Sequence, residues 1–212
     1  MDDISENLHQ AKLWKVLIQR RSVLFGLIVL FIIGFFAIFA PWISSIDPNS
    51  IAVRSRLLPP GAEYWLGTDE LGRDIFTRLI YAGRVSLTVG VGVAIISSSI
   101  GIVMGLTSGF FKRLDAPISR ITDAMMAFPD ILLAISLVAV LGGSVSNVVI
   151  ALSIVYAPRV ARIVRASTLV IRELPYVEAA RALGVGTPTI LFSHILRNIM
   201  SPIIVQATFI FA

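Results

Sequence analysis

Two aspartates, Asp123 and Asp130, stand seven residues apart in the stretch "ITDAMMAFPDILLAI". On a helix this spacing is two turns along one face, the placement a carboxylate site or an intramembrane proton relay would need. Lys112, Arg113 and Arg120 lie close by, and that supply of cations favours charge pairing at a membrane surface over a relay. Other chemistry-bearing side chains are sparse. The chain has no Cys, which excludes disulfides, thiolate metal sites and a thiol nucleophile. His9 and His194 are the only histidines, too few for a multi-histidine centre. No G-x-x-x-x-G-K-[ST] phosphate loop, G-x-S-x-G elbow or H-E-x-x-H pair occurs, and "GVGTPT" lacks the third glycine of a dinucleotide fingerprint. No catalytic residue, cofactor or metal is expected.

A second stretch holds chemistry of another kind. In "YVEAARALGVGTPTILF", residues 176–192, a carboxylate and a guanidinium sit among small residues. Pro175 can take the first position of a helix, where its missing N–H costs nothing. Glu178 then falls near the positive end of that helix, and Ala179, Ala182 and Leu183 share a face that forms a narrow, smooth ridge. Gly184 and Gly186 permit the left-handed dihedrals that end a helix, and Thr187-Pro188 restarts one. Such a ridge suits docking into a groove on a cytosolic partner. Glu178 and Arg181 are equally placed, at i and i+3, to pair with each other in a solvated loop. The residues alone leave these readings even.

The elements that must position these groups are membrane spans. Hydrophobic residues make up 56% of the 212 and charged residues only 15%, against roughly a quarter charged in an ordinary soluble domain. Mean hydropathy is +0.87. The formal charge of +5 comes from basic residues flanking apolar runs, as membrane topology demands, and not from a nucleic-acid face. Val23 to Ile43 is uncharged for 21 residues, enough at ~1.5 Å per residue to cross about 30 Å of hydrocarbon. It is too long for a cleaved signal peptide. Lys12, Lys15, Arg20 and Arg21 precede it, which places the amino terminus in the cytoplasm. A second uncharged run covers Val85 to Phe111. There Ser86, Gly90, Ala94 and Ser98, then Gly101, Gly105 and Gly109, recur every four residues, the spacing that lets helix backbones approach closely in lipid.

Between Asp130 and Arg159 lie 28 uncharged residues interrupted by the turn formers "GGSVSN". Arg159, Arg162, Arg165, Arg172, Arg181 and Arg197 follow, and such an excess belongs on the cytoplasmic side. The chain must then cross an even number of times before Arg159, so a hairpin of two helices is expected, roughly 120–141 and 146–166. Ile199 to Ala212 opens a fifth span. Its fourteen residues rise only about 21 Å, so the sequence is expected to be part of a longer chain.

Ser44 to Gly83 forms a forty-residue loop on the outer side. In "WLGTDELGRDIFTRLIYAGRVSL", Thr68 can cap a helix whose first turn carries Asp69 and Glu70. Asp69–Arg73 and Asp74–Arg78 stand at i, i+4 spacing, and Leu71, Ile75, Leu79 and Ile80 make one apolar face. This reads as an interfacial elbow before the chain re-enters the membrane.

The pattern "EAARALG", with Gly184 six residues after Glu178, resembles the EAA loop of bacterial ABC importer permeases. The segment around "LGTDELGRD" is similar to the signature of the dipeptide/oligopeptide/nickel permease family, specifically its second permease subunit. "ARIVRASTLVIRELPYVEAARALG" and "HILRNIMSPIIV" follow in the family's order, so the resemblance covers essentially the whole chain. It implies an all-α polytopic membrane protein of the type I ABC importer transmembrane-domain fold, with about five of six spans present, in the bacterial inner membrane. Residues 1–83 would hold the cytoplasmic amino terminus, first span and periplasmic loop. Residues 84–212 would hold the permease core, with the coupling loop at 173–198. Glu178, Ala179, Ala180, Arg181 and Gly184 would occupy the coupling positions. Gly67, Thr68, Asp69, Glu70, Gly72, Arg73 and Asp74 would form the periplasmic signature. The implied partners are a homologous permease subunit in a heterodimer, two cytosolic ATPase subunits, an extracytoplasmic solute-binding protein and membrane lipid. The implied substrate is a short peptide or a nickel complex. Arg197 stands where the family usually has Pro, which is expected to loosen the entry into span five. The rival class is an ion-gradient-driven secondary transporter or channel, which needs buried acids within spans. Spans one and two have none at their centres.

Overall fold

A computed structural model describes residues 20–212. The expectations resting on His9, Lys12 and Lys15 lie outside the described residues. Among the described residues every regular element is helical, apart from an isolated antiparallel bridge between Thr68 and Asp74. The principal helices are α1 (Arg21–Ile43), α2 (Ile75–Phe110), α3 (Lys112–Met126), α4 (Asp130–Leu141), α5 (Val145–Ile171) and α6 (Pro175–Ala182). The last, α7, is a helical rod over Thr187–Phe211. Four of these, α1, α2, α5 and α7, are long and apolar enough to cross a membrane, and α3 with α4 makes a fifth if the bent pair counts as one. The chain divides into two compact units, one ending at Leu87 and the other beginning at Thr88.

In the first unit, α1 is apolar on all sides and buries only Ala37 and Ala40. A helix of that kind is solvated by lipid, not by water. It meets the start of α2 through Phe36 and Phe76, whose rings stand edge to face at 6.2 Å. Ser44 and Thr77 share a buried hydroxyl–hydroxyl hydrogen bond of 2.6 Å. The expected interfacial elbow is not a separate element. Helix α2 starts at Ile75 and runs on without a break for 36 residues, because no Pro interrupts it and its early arginines do not oppose helix formation.

The second unit is organised around α5. The glycine ladder of α2 lies against it: a Cβ on Gly105 would stand 2.5 Å from Val164 Cβ, and one on Gly109 would stand 2.6 Å from Thr168 Cβ. Gly101 faces Val160 in the same way. The small-residue stripe is therefore a packing face, with β-branched side chains of α5 seated over bare backbone. Arg172 donates from Nη1 to the Gly109 carbonyl at 2.7 Å, covering an orphan acceptor in the last turn of α2.

The hairpin forms at "GGSVSN" as expected. Gly142 adopts φ +95°, Ser144 Oγ accepts from Asn147 N at the start of α5, and the Asn147 amide donates to the Leu141 and Gly142 carbonyls. The expected continuous helix over 120–141 is not found. The chain breaks between Met126 and Asp130, and α3 and α4 diverge by 93°. Pro129 is the cause, because it disfavours helical dihedrals at Phe128 and offers no N–H to continue the ladder. At twelve residues, α4 reaches only about 18 Å.

Candidate coupling site

Helix α6 starts where its residues require. Leu174 is its N-cap and Pro175 occupies the first turn. It ends in a Schellman closure: Gly184 at φ +78°, with Gly184 N donating to the Arg181 carbonyl and Val185 N to the Ala180 carbonyl, both at 3.0 Å. Gly186 is not left-handed. Its φ of −62° makes it the cap of the next helical turn, which begins at Thr187.

Burial splits the short helix cleanly. Val177 is fully buried and Ala180 nearly so, whereas Glu178, Ala179, Ala182 and Leu183 are exposed, Leu183 at 84%. Val177 joins a core cluster with Leu106 of α2, Val160 and Val164 of α5, and Ile190 and Ile195 of α7. The small ridge is thus nailed to the spans from beneath and bare above. The alternative, in which Glu178 pairs with Arg181, is not adopted. Arg181 lies over the Phe110 ring with its guanidinium carbon 4.7 Å from the centroid. Glu178 makes no ion pair with another described residue.

Behind the ridge, α7 is irregular. It passes through a π turn at Ile190–Ile195 and a 3₁₀ turn at Leu196–Ile199 before regaining α geometry at Met200. Pro202 accounts for the 3₁₀ turn, since it cannot donate to the Asn198 carbonyl four residues back and its ring crowds that turn. Asn198 Nδ2 donates to the His194 carbonyl at 2.6 Å and to the Tyr176 hydroxyl at 3.2 Å, tying α6 to the irregular turn. Arg197 is exposed on the 3₁₀ turn, which is continuous with the rest of the rod.

The candidate periplasmic residues gather in one tight loop of the first unit. Thr68 does not cap a helix. Its hydroxyl accepts from Leu58 N at 2.8 Å and donates to the Ser55 carbonyl at 2.5 Å. The cap of α2 is Asp74, whose Oδ2 accepts from Thr77 N at 3.0 Å and from the Thr77 hydroxyl at 2.5 Å. The Asp74–Arg78 pair is consequently absent. Arg78 turns instead to Asp69, which also binds Arg73 at 2.8 Å. Asp69 Oδ1 accepts from Leu71 N and Arg73 N, each at 2.9 Å. Burial works to raise its pKa, but these backbone donors and Arg73 outweigh it and hold the carboxyl well below its ordinary value. Gly67 and Gly72 have φ +75° and +76°, and each presses on backbone, at Leu58 and Ala52 respectively, where a Cβ has no room. Glu70 alone of the seven points outward with no bond to a described residue. Most of the loop's polar groups hold the loop itself, whereas Asp74 Oδ1 is buried without a partner among the described residues.

Asp123 and Asp130 do not form a carboxylate site. They are charge-paired as expected, but with a different set of cations. Arg159 binds Asp130, Arg162 binds Asp123 at 2.6 Å, and Arg165 grips Asp115 through two bonds of 2.5 and 2.9 Å. Three arginines at every third position of α5 thus neutralise three acids on α3 and α4. A polar cavity of about 160 Å³, lined by Ser108, Ser119, Thr122, Asp123, Arg162 and Arg165, lies beside them. No group of three or more metal-ligating side chains occurs among the described residues.

Apolar helices long enough to cross a membrane, with a short exposed helix pinned to the core of the second unit, define a polytopic all-α membrane protein. The comparisons with known proteins resolve the class further. Residues 97–212 match the family described as binding-protein-dependent transport system inner membrane component, and residues 10–60 match the N-terminal TM domain of oligopeptide transport permease C. The chain belongs to the binding-protein-dependent transport permease family. It is 47% identical over 92% of its length to a permease protein of Brucella suis biovar 1 named for a peptide transport system. It is 44% identical over 92% to the dipeptide transport system permease protein of Alkalihalophilus pseudofirmus. To the di/tripeptide transport system permease protein of Pseudomonas aeruginosa it is 40% identical over 94%. The chain spans 66%, 64% and 68% of the lengths of these three relatives.

Proposed function

We propose that the chain is the membrane-embedded permease part of an ATP-driven importer of short peptides, and that it performs no covalent chemistry itself. Cytosolic ATPase subunits would bind the ridge Glu178–Leu183. Closure of those subunits on nucleotide would push the ridge, and the rigid attachment of Val177 and Ala180 to the core would tilt the spans between outward- and inward-facing arrangements. On this reading the amino terminus and α6 are cytoplasmic, in keeping with the basic residues around them, and the loop of Gly67–Asp74 faces the periplasm. A homologous permease subunit would complete the pathway, and an extracytoplasmic binding protein would deliver the peptide. The observation that carries the proposal is the unpaired, exposed Glu178 on a helix whose opposite face is locked into the bundle. A base on the ATPase surface would supply the missing partner.

The test is co-purification of the ATPase subunits with the complex from membranes. Glu178→Lys reverses the ridge's charge, and Gly184→Val strains the left-handed closure without meeting any neighbour. Both variants should insert normally and lose the ATPase. Undiminished ATPase recovery with both would refute the coupling role.

A further inference from the structure

Helix α3 has a job left over. Its two acids within the helix, Asp115 and Asp123, are both turned to arginines of α5, and Thr122 on the same side is buried. Turned away from them, on the exposed side, are Arg113 and Arg120, while Lys112 stands at the helix start between the two acids. None of these three makes an ion pair or hydrogen bond with another described residue. Pairing to α5 occupies both acids, although Asp123 stays exposed, and leaves Arg113 and Arg120 as the uncompensated charges of the helix. Next to them on the helix surface stand Leu114 and Ile121, 45% and 56% exposed. A helix with apolar and cationic strips side by side, both without protein cover, has the build of an element lying in a membrane interface. The bend supports this placement. Helix α4 packs in a hairpin along the apolar part of α5, a candidate span, and α3 leaves α4 at 93°. It therefore departs from the direction of the hairpin, as a helix lying along a membrane surface would.

We propose that α3 carries a site for anionic phospholipid headgroups, with Arg113 and Arg120 holding the headgroup phosphate and Leu114 and Ile121 seated among the acyl chains. The arginines are seven residues apart, two turns on one face, about 10 Å along the axis. That span suits adjacent phosphates in a lipid surface better than one small ion, and arginine binds phosphate oxygens in a forked geometry. The site does not depend on the transport reading, because it follows from the helix's own charges and direction.

The full chain in neutral detergent, titrated with phosphatidylglycerol or phosphatidylcholine and weighed intact by native mass spectrometry, tests the assignment. Wild type should retain phosphatidylglycerol preferentially. Each basic side chain near an anionic lipid surface is worth about a fivefold preference, so R113Q/R120Q should lower it by about 25-fold. R113K/R120K should keep part of it. R54Q/R56Q removes the same charge from the exposed loop and should keep all of it. Equal binding of the two lipids by wild type would overturn the proposal, as would an equal loss in R54Q/R56Q. Competition by soluble glycerol phosphate at the same concentration would assign the arginines to a free phosphate ligand and likewise overturn it. Binding unchanged in R113Q/R120Q, with loss of an associated protein instead, would assign the face to a protein partner.

Discussion

Replacing Gly105 with Ala is the smallest perturbation that reports on how the α2 and α5 helices are held. In a free helix the change stabilises, by roughly 0.5–1 kcal/mol, because Ala loses less backbone freedom than Gly. Here the new methyl would stand 2.5 Å from Val164 Cβ and 2.7 Å from the Ala161 carbonyl oxygen. One of those neighbours is backbone and the other is a branch point, so neither can swing aside and the helices must part. Overpacking of this kind costs about 1–3 kcal/mol. The net expectation is a loss centred on about 1 kcal/mol and no larger than about 2.5 kcal/mol. Gly34 in α1 is the internal control, since a Cβ there meets nothing within 4 Å, and Gly34→Ala should be neutral or slightly stabilising. The assay is reversible unfolding of the detergent-solubilised chain in increasing sodium dodecyl sulfate, followed by circular dichroism. If Gly105→Ala proved as stable as wild type while Gly34→Ala did not, the close-approach account of the glycine ladder would be wrong.

The charge pairs allow two further checks. Asp115→Asn leaves Arg165 beside the polar cavity without its counter-charge, and a double-mutant cycle with Arg165→Gln should give a coupling of about 1 kcal/mol, discounted for partial exposure; zero coupling would mean the pair is not formed. Asp69 should make the loop that holds it acid-sensitive. Its folded pKa lies below the ordinary 3.8, so the carboxylate stabilises the loop at all higher pH and that contribution fades as pH falls below about 4. The stability difference between wild type and Asp69→Asn should be flat from about pH 7 to 5 and shrink on further acidification. Growth of the difference at low pH would reverse the sign and refute the assignment.

What was legible in the sequence is what depends on period and local stereochemistry. The four-residue spacing of Gly101, Gly105 and Gly109 marks a packing face, "GGSVSN" marks a hairpin turn, and Pro175 with Gly184 brackets α6. The partner of the glycine ladder was not legible, because Val160, Val164 and Thr168 meet it only through the fold. The same holds for the ion pairs. Asp115, Asp123 and Asp130 are near Lys112, Arg113 and Arg120 in sequence, but α3 and α4 turn their acids towards α5, 29 to 50 residues away. The break at Phe128-Pro129 left a signal that went unused. Its apolar surroundings read as one continuous helix, although the restriction that proline places on the preceding residue argues for an interruption there. Thr68 misled for the opposite reason. It is a good helix cap by type, but Gly67 and Gly72 fold the chain back between them, and the capping duty passes to Asp74.

Stiffness is what the proposed coupling demands, and the packing under α6 meets that demand in a specific way. A docked partner can move the spans only if the contact cannot relax locally. Leu183 and Glu178 are free to be gripped, whereas Val177 is buried against Val160 and Val164, the same α5 residues that sit over Gly101 and Gly105 of α2. A push on the ridge therefore reaches α5 and α2 through one shared set of side chains, with no flexible linker between. Close-packed interiors transmit such displacements as shifts of whole elements, because their contacts do not deform gradually. The irregular turns at Ile190–Ile199 lie beside the ridge, and their Ile190, Ile195 and Ile199 side chains belong to the same buried cluster as Val177. Two hydrogen bonds from Asn198, to Tyr176 of α6 and to His194, tie the ridge to those turns, so on the proposed reading a push on α6 would be carried into the buried cluster and not lost at its edge.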